Sequence, residues 1–379
     1  MRLVVLASRI PFPLDKGDKL RLFHQLSFLS KHHEICLICL SEDNTNSVPE
    51  ELNSITSEIH FIPIPKWRIY LNLILAIFNQ TPFQVAYFKQ RNAKKKISEI
   101  IKKFKPNHIY CQLIRTAYYA LDQIEISKSI DYMDALSKAA ERRSETSRFL
   151  KKIFWTEEAI RVKKYEAKCF LHFQNHFVIS DQDKSYLNFA SPSPIIVIPN
   201  GVHLTTEQMK DKICDVLFVG NMSYPPNIIA AELLAKIAQQ SSNTLFHIAG
   251  VNPNTRLLKL EQSNFKIVGG VPNVFEYYAQ AKIFVAPMTI GAGMQNKILE
   301  AMASSLPVIT TSLAANAFQN LDESAVIIED DFNKYPEIIQ SYLIDEELRK
   351  GHGKKNLEYV SKLYSWNQVN EILNLNLKP

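Results

Sequence analysis

Short apolar runs alternate with amphipathic stretches along nearly the whole chain. "RLVVLAS" opens it, and "DKLRLFHQLSFLSKHH" follows with Leu20, Phe23, Leu26 and Leu29 at helical spacing. "EICLICLS" is the next strand. A β-loop-α-β order of this kind begins a doubly wound parallel sheet. Further strands are predicted at 58–65, 107–113, 127–135, 175–180 and 194–202, with a long charged helix across 137–172. A second alternation starts after about residue 205. Its predicted strands are 214–221, 244–251, 265–271, 282–288, 306–312 and 324–330, with helices between them. Two consecutive series predict an α/β protein of two Rossmann-like domains with parallel sheets facing across a cleft. The domains are expected at 1–205 and 206–365, hinged near the polar "PNGVHLTTEQMKDK".

One segment departs from the alternation. "WRIYLNLILAIFNQTPFQVAYF" (67–88) is dense in apolar residues, Trp67, Tyr70, Leu71, Leu73, Ile74, Leu75, Ile77 and Phe78 among them, with Lys66 and Arg68 at its start. It is shorter than a bilayer span needs to be. A helix this apolar is either buried or lies on a membrane surface. Basic clusters nearby, "AKKKISEIIKKFK" (93–105) and "RFLKKIFW" (148–155), fit a membrane surface and fit a solvated face equally.

Charge sharpens the division. Residues 1–200 carry 29 Lys and Arg against 20 Asp and Glu, whereas 201–379 carry 15 against 18. A basic first half and a mildly acidic second half predict different partners for the two domains. Five scattered cysteines, Cys36-x-x-Cys39 included, read as reduced buried thiols rather than a metal or redox site. No secretory leader precedes the first strand, and the expected location is cytoplasmic.

Candidate chemistry gathers in "GAGMQNKILEAMASSLPVITT" (291–311). Gly291 and Gly293 allow a sharp turn and close backbone approach after a strand. The helix that starts near Gln295 offers free amides to an anion such as a diphosphate. Lys297 adds a cation on the first turn. Glu300, one turn on, is placed to accept bonds from two ribose hydroxyls, as acidic residues do in other nucleotide sites. An ordinary strand-loop-helix with solvent-facing Lys and Glu reads the same way. In the first domain, Gly17 can approach a diphosphate and Arg9 and Arg21 are cation candidates, although "LDKGDKLR" is also a plausible capped helix start. Asp131 and Asp134 follow a predicted strand as acidic candidates, with Gln112 and Arg115 as polar neighbours. Asp181-Gln182-Asp183 is explained by helix capping better than by a metal.

These residues carry a resemblance. "LEAMASSLPVIT" is similar to the nucleotide-sugar motif of GT-B retaining glycosyltransferases of group 1, or family 4. "FVGNMSYPPN" resembles the first glycine loop of their donor domain, "IPNGV" the interdomain strand end, and "YSW" the start of a terminal helix, about 366–379, that crosses back to the first domain. "RIPFPLDKGDKLRLFHQLSFLSKHHEICL" resembles the opening of a branch tied to bacterial exopolysaccharide synthesis. The resemblance implies a retaining, metal-independent transfer of sugar from a UDP or GDP donor to a cell-surface glycan or lipid-linked acceptor. It implies no cofactor. Gly220, Asn221, Gly291, Ala292, Gly293, Met294, Gln295 and Asn296 would join Gly17, Arg21 and Glu300 around the donor. Lys297, Asp131 and Asp134 are the catalytic candidates, and Arg9, Gln112 and Arg115 lie on the acceptor side. Ala292 stands where the family places its first glutamate, the glycine loop lacks the usual Arg and Lys, and His203 replaces an aspartate. A nucleotide-sugar 2-epimerase and a non-catalytic nucleotide-binding subunit remain alternatives. A nucleic-acid partner is disfavoured because no recognisable basic-aromatic module occurs, and an NAD enzyme because no G-x-G-x-x-G follows the first strand.

Overall fold

A strand covered by helices on both faces is apolar at nearly every position. "RLVVLA" and "EICLICLS" behave in this way: each buries all but its first residue. The computed structural model describes residues 1–42, 48–187, 189, 193–204, 211–271, 273–290, 293–321 and 325–377. Every predicted strand is present in it.

The first sheet contains β1 (Arg2–Ala7), β2 (Glu34–Ser41), β3 (Glu58–Pro63), β4 (His108–Gln112), β5 (Ser127–Met133), β6 (Asn175–Val178) and β7 (Ile195–Val197). Their order is β3-β2-β1-β4-β5-β6-β7, with parallel pairing throughout. The second contains β8 (Cys214–Val219), β9 (Phe246–Ala249), β10 (Phe265–Gly269), β11 (Ala281–Ala286), β12 (Val308–Thr310) and β13 (Val326–Ile328). Their order is β10-β9-β8-β11-β12-β13, again parallel. Each sheet therefore reverses its winding once, between β1 and β4 and between β8 and β11. Ligands of open α/β sheets bind outside the carboxyl ends of strands at such reversals.

Contacts divide the chain into two units. One comprises Met1–Pro199 with Asn370–Pro379, the other Asn200–Val369. The C-terminal ten residues thus belong with the N-terminal unit. Asn370 donates to His24 O (3.0 Å), and His33 shares a 2.7 Å hydrogen bond with Asn374. In the second unit, "IPNGV" and "YSW" are joined: Val202 N donates to Tyr364 O at 2.7 Å, and Val202 bridges Ser365.

Two helices differ from expectation. The predicted 137–172 helix is two, Leu136–Thr146 and Phe149–Phe170. The chain reverses at Ser147–Arg148, Phe149 takes a φ of 46°, and the Ser144 and Thr156 hydroxyls meet across the pair. Residues 67–88 likewise divide, into Lys66–Asn79 and Phe83–Phe88, because Gln80 is left-handed and Pro82 cannot continue the helix.

Candidate functional site

The second unit builds its site where β8 and β11 part. β8 runs out into Gly220 and Asn221, and the chain just past β8 and just past β9 approaches so closely that only glycine fits. A Cβ on Gly250, whose φ is +157°, would lie 1.7 Å from Gly220 O. A Cβ on Gly220 would meet the Asn227 side chain at 2.5 Å. The missing side chain at Gly220 leaves room for Asn227 to lie over the loop. Its Nδ2 donates to Asn221 O at 2.9 Å, leaving Oδ1 to face inward. The exposed Asn221 uses its side-chain oxygen Oδ1 to hold the turn, accepting from Ser223 N (2.9 Å) and Oγ (2.8 Å).

The helix Asn296–Ala303 follows β11 and supplies Lys297. Lys297 is 9% exposed. Its ammonium donates to Asn227 Oδ1, sits 4.7 Å above the centre of the Phe218 ring and lies 4.0 Å from Met288 Sδ. No carboxylate forms an ion pair with it among the described residues. Burial pushes its pKa down to about 7, with Glu300 pulling the other way. Glu300 sits one turn on, and burial raises its carboxyl above the usual range. The fully buried Tyr278 donates to Glu300 Oε2 at 2.9 Å. Oε1 has no protein donor among the described residues. A cation held only by an amide, a ring and a thioether is poised for an anion. A carboxylate with one committed oxygen can still accept from a hydroxyl.

Around the helix start, Gln295 is the N-cap residue but its side chain does not cap the amides. Its Nε2 donates instead to Gly293 O (2.9 Å), and Asn296 Oδ1 accepts from Asn200 Nδ2 (3.0 Å). Met294 is buried. Gly291 and Ala292 lie outside the described residues. Asn227, which the glycine loop offers with Asn221 in place of the family's Arg and Lys, completes the site together with Tyr278, Phe218 and Met288, which were not among the candidates. Tyr278 lies within "NVFEYYAQA", where nothing local marks it as the partner of a glutamate.

In the first unit, sequence candidates of separate roles prove to be each other's partners. Arg21 Nε donates to Asp131 Oδ2 at 2.7 Å, with both side chains at most 1% exposed. The other Arg21 nitrogens donate to Pro199 O and Ile198 O, each at 2.8 Å. Asp131 Oδ2 also accepts from Tyr110 (2.9 Å) and Gln25 (3.3 Å), and Oδ1 from Met133 N (2.9 Å). This arrangement commits both groups to holding the end of the unit, so neither is presented to a substrate. Gln112 is buried and donates to Asp18 O at 2.6 Å. Arg9 pairs with Asp18 at 3.5 Å. Arg115 packs over the Phe88 ring, its Nε unsatisfied, and burial and Arg9 lower its pKa. Nothing lies within 4 Å of a Cβ built on Gly17, so the fold itself does not require glycine there. Arg9, Lys16, Lys19 and Glu42 line a cavity of about 360 Å³ at the carboxyl ends of β1 and β2.

Asp134 differs from Asp131. It has no hydrogen-bond partner among the described residues, and burial, reinforced by Asp183, pushes its pKa up to about 7. Ser180 is the cap of the helix Asp181–Tyr186, accepting from Asp183 N, while Asp183 accepts from Ala135 N at 3.0 Å. The Asp-x-Asp is thus helix-start architecture. Cys36, Glu58 and His60 form a group with metal-ligand spacing at the start of β2 and β3. Burial, with Glu58, raises the Cys36 thiol to about 12, and Glu58 already holds His60 at 3.0 Å.

Residues 214–345 match the family described as Glycosyl transferases group 1. A Klebsiella pneumoniae protein described as an uncharacterized 44.6 kDa protein in cps region is 22% identical, spanning 87% of this chain and 88% of that protein. Sucrose-phosphate synthase from Thermosynechococcus elongatus superposes with a TM-score of 0.70 at 14% identity, covering 99% of this chain and 98% of its own. Anabaena HepE, solved in complex with UDP, gives 0.68 at 13%, covering 100% and 99%. The fold is GT-B, with two parallel-stranded α/β units.

Proposed function

We propose that the protein is a glycosyltransferase that moves a sugar from a nucleoside-diphosphate donor, UDP or GDP, to a cell-surface glycan or lipid-linked acceptor. The observation that carries this reading is Lys297. It is a buried cation with neutral partners only, at the winding reversal between β8 and β11, one turn from a half-committed carboxylate. A diphosphate between Lys297 and the amides of the Asn296–Ala303 helix satisfies both. The adjoining ribose then meets Glu300 Oε1. As the glycosidic bond to the diphosphate breaks, negative charge grows on the leaving oxygen, and Lys297 offsets it in a water-poor setting. No divalent ion is required for that role, and the proposed outcome is retention at the anomeric carbon. On the acceptor side, Asp134 and the Arg9 cavity are the available groups, since Arg21 and Asp131 hold one another.

The matched family supports the reading, as does HepE, a fold neighbour solved with UDP. The cps-region relative fits an exopolysaccharide role. We place the reaction at the cytoplasmic face of the membrane, with 67–88 and its basic neighbours toward the lipid. Among the described residues no helix is long and apolar enough to cross it. The test is nucleotide release from UDP- and GDP-sugars with and without lipid-linked acceptor. Acceptor-dependent release is expected. Epimer formation without acceptor, or no turnover with any donor, would contradict it.

A further inference from the structure

The helix Lys66–Asn79 has apolar residues on both sides but buries only Ile69 and Ala76. Trp67, Tyr70, Leu71, Ile74, Ile77 and Phe78 recur along the opposite face, and Phe78 is 81% exposed. An ordinary surface helix turns polar residues outward. No acidic residue occurs on this one; its charges are Lys66 and Arg68, at the amino end beside Trp67. The start of the helix Phe149–Phe170 repeats the pattern, with Phe149, Leu150 and Ile153 exposed next to Lys151 and Lys152.

The second helix is fastened to the end of the first and to the short helix Phe83–Phe88 that follows it. The Phe83 and Phe154 rings are 5.1 Å apart. Arg161 donates to Ala76 O and Ile77 O at the end of the first helix. Glu158 accepts from Phe83 N (2.9 Å) and Gln84 N (3.2 Å). Beside this junction lies a cavity of about 420 Å³, lined by Gln80, Thr81, Lys89, Lys164 and Lys168 among others. None of those three lysines has a carboxylate partner among the described residues. The cavity's Asp122 is taken by Lys94. Burial lowers the Lys89 pKa, as do Lys168, Arg91 and Lys94 around it.

We propose that the first unit docks on an anionic phospholipid bilayer, with the exposed faces of Lys66–Asn79 and Phe149–Phe170 at the acyl boundary and a lipid phosphate in the Lys89–Lys164–Lys168 cavity. Apolar area beside concentrated positive charge is the chemistry of interfacial binding. A second copy of the chain fits poorly, because pairing this face with itself would oppose two basic rims. The inference rests on the membrane side of the proposed function and does not depend on sugar transfer.

Co-sedimentation of the full chain tests it without any donor. Vesicles of phosphatidylcholine alone are compared with vesicles that also contain phosphatidylglycerol. Binding to the anionic vesicles is expected, at least ~10-fold tighter than to the neutral ones. Ile74→Glu/Phe78→Glu should abolish it. Lys164→Glu/Lys168→Glu should cost ~20-fold or more on anionic vesicles, each lysine near such a surface being worth ~5-fold. Melting temperatures of both variants should stay at the wild-type value, since the replaced side chains are exposed. Equal binding to both vesicles, or binding unchanged in either variant, overturns the proposal. So does absence of vesicle binding with a dimer, seen by light scattering, that Phe78→Glu dissociates. UDP binding measured without vesicles reports separately on the transferase reading.

Discussion

Arg21 with Asp131 and Lys297 with Glu300 are both sheltered cation–carboxylate neighbours, one in each unit, yet only the first pair touches. Asp131 receives the guanidinium, a phenol, an amide and a backbone N–H, and Arg21 spends its remaining donors on two carbonyls. Every strong group there has a protein partner. In the second unit the ammonium rests on an amide oxygen and a ring, and the carboxylate on one tyrosine. A closed network of buried charge specifies a fold. An open one keeps its charges for something the chain does not supply. Burial alone therefore does not mark a site; the identity of the partners does.

The sharpest way to break the comparison is to remove one member of the closed pair. Asp131→Ala strands a buried guanidinium and should cost about 3–5 kcal/mol in urea unfolding. Arg21→Met added to an Asp131→Leu background should recover much of it. If Asp131→Ala unfolds like wild type and loses only activity, the structural role assigned to the pair is wrong.

The open pair should respond in the opposite sense. Lys297→Met should weaken UDP by about 10- to 100-fold, the worth of a charge-assisted bond, while leaving the free protein folded. The sign of its stability effect follows from the pKa. The folded value, about 7, lies below the 10.5 of an exposed lysine. The neutral amine is therefore favoured in the fold above that ordinary value, and the advantage drains away as pH falls from 10.5 to about 7. Wild type should thus lose stability against Lys297→Met as pH is lowered from about 10 to 7 and change little below that, read from paired melting curves. A diphosphate restores the charge, so UDP affinity should fall as pH rises, approaching ~10-fold per unit above pH 8. A flat calorimetric profile would show that Lys297 does not meet the phosphates.

Smaller effects sharpen the same contrast. Glu300→Gln should cost about 10-fold in nucleotide affinity with no change in unfolding, and an unchanged affinity would remove the ribose role. Tyr278→Phe deletes the tyrosine donor to the Glu300 carboxylate and should cost about 1.5–3 kcal/mol in unfolding, with a modest loss of affinity through a less firmly held Glu300.

The sheets were legible because parallel strands are written as unbroken apolar runs between polar turns, "RLVVLA", "CDVLFV" and "KIFVAPM" among them. The Lys297–Glu300 spacing was legible for the same reason: three residues on one helix are local. What the sequence conceals is which distant group will claim a side chain. Asp131 and Arg21 are 110 positions apart, and the two looked like candidates for separate tasks. Asn227 is 70 positions from Lys297, and Tyr278 is 22 from Glu300. The break at Ser147–Arg148 was equally hidden, since neither glycine nor proline marks it.

A crystal structure of the protein with UDP tests the central claim most directly. The account predicts diphosphate oxygens within hydrogen-bond distance of Lys297 Nζ and a ribose hydroxyl on Glu300 Oε1. A nucleotide bound elsewhere, with Lys297 still resting on Asn227, would contradict it.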